Sequence, residues 1–336
     1  MAFTLSENSA LLRPVTVGDV SAANRLFMAP LTRTRAEADA TPSKLAALYY
    51  AQRASAGLVI SEATAVSAAA NGAYLNTPGM FTDRHQLRWA EIAEAVHESG
   101  GRMFVQLWHV GRMGHPDISG VETVAPSAIA ADLSAHTPTG KNALRVPRAL
   151  RTDEIAGIVA DFRSAARRAV DAGMDGVEIH SANGYLLHEF LSDVTNRRDD
   201  AYGGSAANRA RLTAEVVEAV VDEIGAGRVG LRISPGNSAG DMREVDEVAA
   251  YEALLNRIGP LGLAYLHLLI EPTEPAFAVV RSLWDGTLVL NTPRQIESTS
   301  ASWRTSWSGA SSGRPPSAGP TWPTPTSSTA CCWAPS

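Results

Sequence analysis

Within six positions, His180-Ser-Ala-Asn183-Gly-Tyr185 sets out an imidazole, a carboxamide and a phenol. The first two can donate to one developing oxyanion, and the phenol can deliver a proton beside it. Residues 176–179 (Gly-Val-Glu-Ile), just upstream, are the short, β-branched, apolar run of a buried strand. A polar cluster directly past such a strand predicts the C-terminal rim of an α/β barrel, where that fold keeps its chemistry. The three-residue spacing of His180 and Asn183 predicts that both project from one helical turn. Alone, a histidine in this position is more often a packed, hydrogen-bonded structural residue than a catalyst.

The elements that must position this cluster can be followed along the chain. Residues 25–30 read as a first strand ending at Pro30, with Thr32 in the loop beyond. A helix over 42–56 opens with Thr41 as N-cap and Pro42 behind it. A second strand over 58–64 carries Ala63, and Tyr74 stands out in the small-residue loop that follows. A helix over 83–99 closes at Gly100-Gly101, and a third strand over 103–108 puts Gln106 and Trp108 on one face. Residues 111–151 are too long for a passive connector and read as a lid over the barrel mouth. Helices over 152–172 and 206–224 flank the central strand. A fifth strand over 228–233 turns Arg232 inward, where a guanidinium needs a partner: a ligand, or a carboxylate such as Glu178. Strands over 262–270 and 287–290, with helices over 244–258 and 274–283, complete seven alternations without a hairpin signal. That regularity predicts a parallel barrel.

The run from His180 to Arg211 resembles the old yellow enzyme family of FMN-dependent ene-reductases. The matching pieces are His-x-x-Asn-Gly-Tyr, then Leu-x-x-Phe-Leu-Ser, then Asn-x-Arg-x-Asp-x-Tyr-Gly-Gly-Ser, in that order. Matching segments extend over roughly residues 10 to 292. The resemblance implies a TIM (β/α)8 barrel that binds FMN, takes hydride from NADPH or NADH, and reduces an electron-poor alkene. It further implies that His180 and Asn183 hold the substrate carbonyl and Tyr185 protonates the α-carbon. Pro30, Thr32, Ala63, Gln106 and Arg232 fall at flavin-contacting positions, and Tyr74 and Trp108 at the substrate side.

Composition limits the alternatives. The 336 residues suit one barrel, and 29 Lys and Arg against 35 Asp and Glu leave a net charge of −6, with no basic footprint for nucleic acid. Neither a signal peptide nor a membrane span is indicated, so a cytoplasmic protein is expected, with monomer and homodimer both open. Four histidines, His109, His115, His180 and His188, raise a metal-dependent hydrolase as an alternative, but no carboxylate or Cys joins them at ligand spacing, and no metal is expected.

The pattern breaks after Ile296. From there the chain holds no Val, Leu, Ile, Met, Phe or Tyr, so residues 1–292 are expected to form an incomplete barrel and residues 293–336 a disordered tail. The eighth βα unit would be missing, with the edges of the first and seventh strands unpaired. Codons for Trp322-Pro-Thr-Pro-Thr326, read one base earlier, can spell Leu or Val, then Ala-Asn-Pro-Asp, as in the family's phosphate-binding segment. This suggests a frameshift between about Asn291 and Ser298. Without that segment weak FMN binding is expected, and a non-catalytic, flavin-deficient remnant is the second reading.

Overall fold

The computed structural model describes residues 9–246, 248–292 and 329–333. Eight strands close into one barrel: β1 Leu26–Met28, β2 Leu58–Ala65, β3 Met103–Trp108, β4 Gly176–Ser181, β5 Val229–Ile233, β6 Tyr265–Leu269, β7 Leu288–Asn291 and β8 Thr329–Trp333. From β1 to β7 every neighbouring pair is parallel and sequential. Helices α1 Leu45–Ala51, α2 Asp83–Glu98, α3 Ile155–Asp171, α4 Ala206–Ile224, α5 Ala249–Ile258 and α6 Pro275–Leu283 cross between them. The expected TIM-barrel architecture is thus observed.

Each buried strand is apolar on both sides because helices cover the outside and side chains fill the inside. In β3, Met103, Val105 and Leu107 join the core shared with Trp89, Ile92 and Val96 of α2 and Phe162 of α3, while Phe104 joins the barrel interior. The 3.6-residue period of Ile155, Ile158, Phe162, Ala165, Ala166 and Ala169 makes one face of α3 apolar. Each large side chain so buried contributes about 1.5–3 kcal/mol.

Three sequence expectations are corrected. Thr41 does not cap α1, whose N-cap is Lys44 without a side-chain hydrogen bond; the chain bends through residues 41–44 before the helix starts. Hairpins exist outside the seven alternations. Val15–Val17 pairs antiparallel with Val20–Ala22, and these valines pack with Phe27, Leu58, Ile60, Phe104 and Val289 as an apolar plug under the barrel. The second hairpin, Ser134–Thr137 with Gly140–Ala143, lies in the long segment between the third strand and α3. Finally, the edges of β1 and β7 are paired: β8 lies antiparallel between them. Exposed edges carry unsatisfied N–H and C=O groups that any extended segment can satisfy. Thr and Trp favour strands, and Cys and Ala are common in cores; an inventory of Val, Leu, Ile, Met, Phe and Tyr passes over them. The phosphate-binding and frameshift readings, and the expected disorder of residues 293–328 and 334–336, lie outside the described residues.

Candidate active site

One cavity of ≈ 260 Å³ opens at the C-terminal ends of the strands, and every candidate site residue lines it. Pro30 and Thr32 follow β1, Ala63 comes from β2, and Gln106 and Trp108 come from β3. His180 comes from β4, Asn183 and Tyr185 from the turn beyond, and Arg232 from β5. Tyr74, Met113, Ala239 and Gly240 close the rim.

Ala63 reaches the cavity through an irregularity. The β2–β3 register shifts between Ile60 and Ala63, which sets Ala63 opposite Gln106. Such a bulge re-aims the residues beyond it.

The His180–Asn183 geometry differs from expectation. His180 lies inside β4, opposite Arg232, and not on a helical turn. Asn183 sits in a left-handed conformation at φ 58°, followed by Gly184 at φ 79°. Two hydrogen bonds hold this strained turn: Asn183 N–H donates to Ser234 Oγ at 2.9 Å, and Gly184 N–H donates to His188 Nδ1 at 2.9 Å. Behind it, the buried His188 Nε2 lies 3.3 Å from Glu244 Oε1, and Glu244 Oε2 accepts from Gly236 N–H at 2.9 Å. The cluster is therefore assembled from a strand end and a pinned turn. Sequence spacing missed Ser234, His188 and Glu244 as its supports.

The aromatic side chains are ordered against one another. Trp108 stacks near-parallel to His180 at 6.4 Å and to Tyr74 at 6.3 Å, and Tyr185 meets Trp108 edge-on at 4.6 Å. The Tyr74 and Tyr185 hydroxyls are 3.2 Å apart. Burial, then the charge of Arg232, holds His180 well below the ordinary histidine range, so its imidazole is neutral. Burial, then Tyr74, raises Tyr185 well above the ordinary tyrosine range.

Arg232 is buried, yet its Nε and Nη1 have no hydrogen-bond partner, and Trp108 Nε1 and His180 Nδ1 are likewise unpaired. The alternative of an Arg232–Glu178 pair is not observed as a hydrogen bond, since Glu178 accepts instead from Gln106, Tyr265 and His267. Unpaired buried donors around a cavity are costly unless a ligand supplies acceptors. A flat ring bearing carbonyl and imine acceptors fits this set, as the pyrimidine end of a flavin would.

Among the described residues no three His, Cys, Asp or Glu side chains are grouped to hold a metal ion. His109 Nδ1 accepts from Gly111 N–H, and His115 Nδ1 accepts from Asp117 N–H at a helix start. No helix among the described residues is long and apolar enough to cross a membrane.

The start of the 111–151 segment is tied to the cavity rim by Arg112. Its Nη2 donates to the carbonyls of Gly240 at 2.9 Å and Asp241 at 3.0 Å, while its backbone N–H donates to Glu189 Oε1 at 2.8 Å. Gly111, at φ 59°, must be glycine, because an added Cβ would fall 2.1 Å from Glu189 Oε1. Burial pushes Glu189 up to about 8, against the opposing pull of Arg112. A folded-state value above the ordinary 4.5 gives a contribution that is complete below pH 4.5 and lost as pH rises through 8. At pH 7 the loss is about 3 kcal/mol. Glu189→Gln is therefore expected to stabilise the protein at pH 7 and to flatten its Tm between pH 5 and 8. A Tm gap between variant and wild type that stayed constant across that range would refute the assignment.

A closed α/β barrel whose rim cavity gathers an imidazole, a carboxamide, a phenol and unpaired buried donors fits one class of protein, the flavin-dependent oxidoreductases. The chain matches the NADH:flavin oxidoreductase / NADH oxidase family over residues 10–285. It is 46% identical over 265 residues to a chanoclavine-I aldehyde reductase of Penicillium roqueforti, covering 77% of this chain and 69% of that one. It is 42% identical over 273 residues to 12-oxophytodienoate reductase 1 of Oryza sativa, covering 80% and 70%. Among solved structures, the old yellow enzyme homologue of Zymomonas mobilis superposes with TM-score 0.84 at 40% identity, covering 89% of this chain and 86% of that one. Morphinone reductase in complex with tetrahydroNAD gives 0.82 at 43%, covering 89% and 84%. The chain belongs to this family, and it is an NAD(P)H-dependent FMN oxidoreductase of the ene-reductase type.

Proposed function

We propose that this cavity reduces the activated C=C bond of an enone-type substrate, with His180, Asn183 and Tyr185 as the groups that touch it. The observation that carries the proposal is the convergence of those three residues with the unpaired Arg232 on one cavity. Arg232 and Gln106 would hold the pyrimidine end of FMN, and Thr32, Ala63 and Pro30 would lie along its ring. When bound, FMN supplies the two-electron centre between NAD(P)H and the alkene. His180 and Asn183 donate to the carbonyl oxygen and draw electron density from the β-carbon, which lowers the barrier to hydride arrival there. Tyr185 gives its proton to the α-carbon. Trp108 and Tyr74 exclude water from the substrate side. The balance is one alkene, one NAD(P)H and one proton giving the saturated carbonyl compound and NAD(P)+.

Incubation with FMN should give a yellow protein that bleaches on anaerobic NADPH addition and recolours with cyclohexenone. Bleaching without recolouring would overturn the alkene assignment, and a colourless protein would favour the flavin-deficient remnant.

The ionisation states predict a pH profile. With His180 neutral well below its ordinary range and Tyr185 protonated well above its own, enone reduction should be level from about pH 6 to 9. A step near 6.5 that disappears in His180→Asn would contradict a neutral imidazole grip.

A further inference from the structure

One interior layer below the cavity, Glu178 is fully buried in the barrel. Its Oε1 accepts from Gln106 Nε2 at 2.7 Å, and its Oε2 accepts from the Tyr265 hydroxyl at 3.0 Å and lies 2.8 Å from His267 Nδ1. Room for this arrangement comes from Gly230, opposite Glu178 on β5: a Cβ there would sit 2.3 Å from Tyr265 Cζ. The site is built, not incidental.

Two consequences follow from chemistry. An ionised carboxylate only accepts, so it draws the Gln106 amide round to present its NH2 downward, leaving the carbonyl oxygen for the cavity. Arg232 lies two register positions above, opposite His180, and makes no hydrogen bond through Nε or Nη1. It is therefore offset by Glu178 through space alone, in a medium where unit charges interact strongly. Burial would push Glu178 up, but His267, Arg232 and Gln106 outweigh it and hold it below the ordinary range, so its charge persists. Burial pulls His267 down against the opposing pull of Glu178, and because a carboxylate only accepts, His267 Nδ1 is the donor of the pair.

We propose that Glu178 is a positioning residue for the flavin pocket: it orients the Gln106 amide and offsets the Arg232 charge, and so sets how strongly bound FMN holds electrons. This rests on the flavin reading above. Arg232 alone would favour the anionic reduced ring; Glu178 moderates that preference.

The test is the midpoint potential of the bound two-electron FMN couple in the full chain. Glu178→Gln keeps the shape and removes the charge. It should tighten binding of reduced over oxidised FMN at least tenfold, a positive shift of about 30 mV or more. Tyr265→Phe leaves the carboxylate with one donor fewer and its charge less shared, so its midpoint should move the other way, by less. A purely structural Glu178 would lower Tm in both variants while leaving both midpoints at the wild-type value, and that result overturns the proposal. Should Glu178→Gln not fold, the sign of the Tyr265→Phe shift decides. A wild-type chain that takes up no FMN overturns the flavin reading and this proposal with it, whereas a yellow wild type with unmoved variants overturns only the proposal.

Discussion

His180→Ala is expected to slow enone reduction by about 10²–10³-fold, the loss that follows removal of one preorganised oxyanion donor, about 2.7–4 kcal/mol. The size follows from the setting. The imidazole is neutral, buried and near-parallel to Trp108 at 6.4 Å, so in the proposed role it donates from a fixed position and needs little reorganisation as charge develops. Asn183→Ala should cost a comparable factor. The double variant should cost much less than the product of the two, because both donors serve one oxygen and act as a unit. Reoxidation of the reduced protein by dioxygen has no carbonyl to grip and should keep its rate. Stopped-flow traces of both reoxidations, recorded on the same reduced samples, separate the two. If His180→Ala slowed dioxygen and cyclohexenone equally, its role would be structural and the grip would be lost as an explanation.

The left-handed turn explains how the second donor is aimed, and it shows what the sequence left hidden. Strand, helix and rim were legible because apolar period and strand-end polarity are local properties: β3 and α4 fall at the expected residues, and all ten candidate side chains meet at one cavity. What was not legible depends on partners distant in sequence. Asn183 at φ 58° is held by Ser234 and, through Gly184, by His188, and no periodicity announces a contact across 51 positions. The Gly184–Gly240 approach is of the same kind: a Cβ on Gly184 would fall 2.8 Å from Gly240 Cα. By contrast, the hairpin under the barrel did carry a signal, Val15-Thr-Val-Gly-Asp-Val-Ser-Ala22, alternating valines around Gly-Asp. The eighth strand is the opposite case. Its Thr and Trp favour strands, but where the strand docks is set by two open edges that only the assembled barrel creates.

Tyr185→Phe is expected to lower the rate of enone reduction by about 10²–10⁴-fold, the range for loss of a positioned general acid, with enone affinity little changed. Affinity is spared because the proposed grip on the carbonyl assigns that oxygen to His180 and Asn183, whereas the Tyr185 hydroxyl faces the Tyr74 hydroxyl at 3.2 Å. That pairing has a direction. Tyr185 is 9% exposed and held protonated by burial, while Tyr74 is 43% exposed. A phenolate left on Tyr185 after proton delivery would be unfavourable in its buried place, so the proton must be replaced at once, and the half-exposed Tyr74 supplies the neighbouring hydroxyl. Tyr74→Phe should then cost only a few-fold, because water can reach the vacated edge, but it should change the solvent deuterium isotope effect on alkene reduction. In Tyr185→Phe that isotope effect should no longer respond to Tyr74→Phe at all. Equal rates for wild type and Tyr185→Phe under single-turnover conditions would show that water, not the phenol, supplies the α-proton, and the hydroxyl pair would then be packing alone.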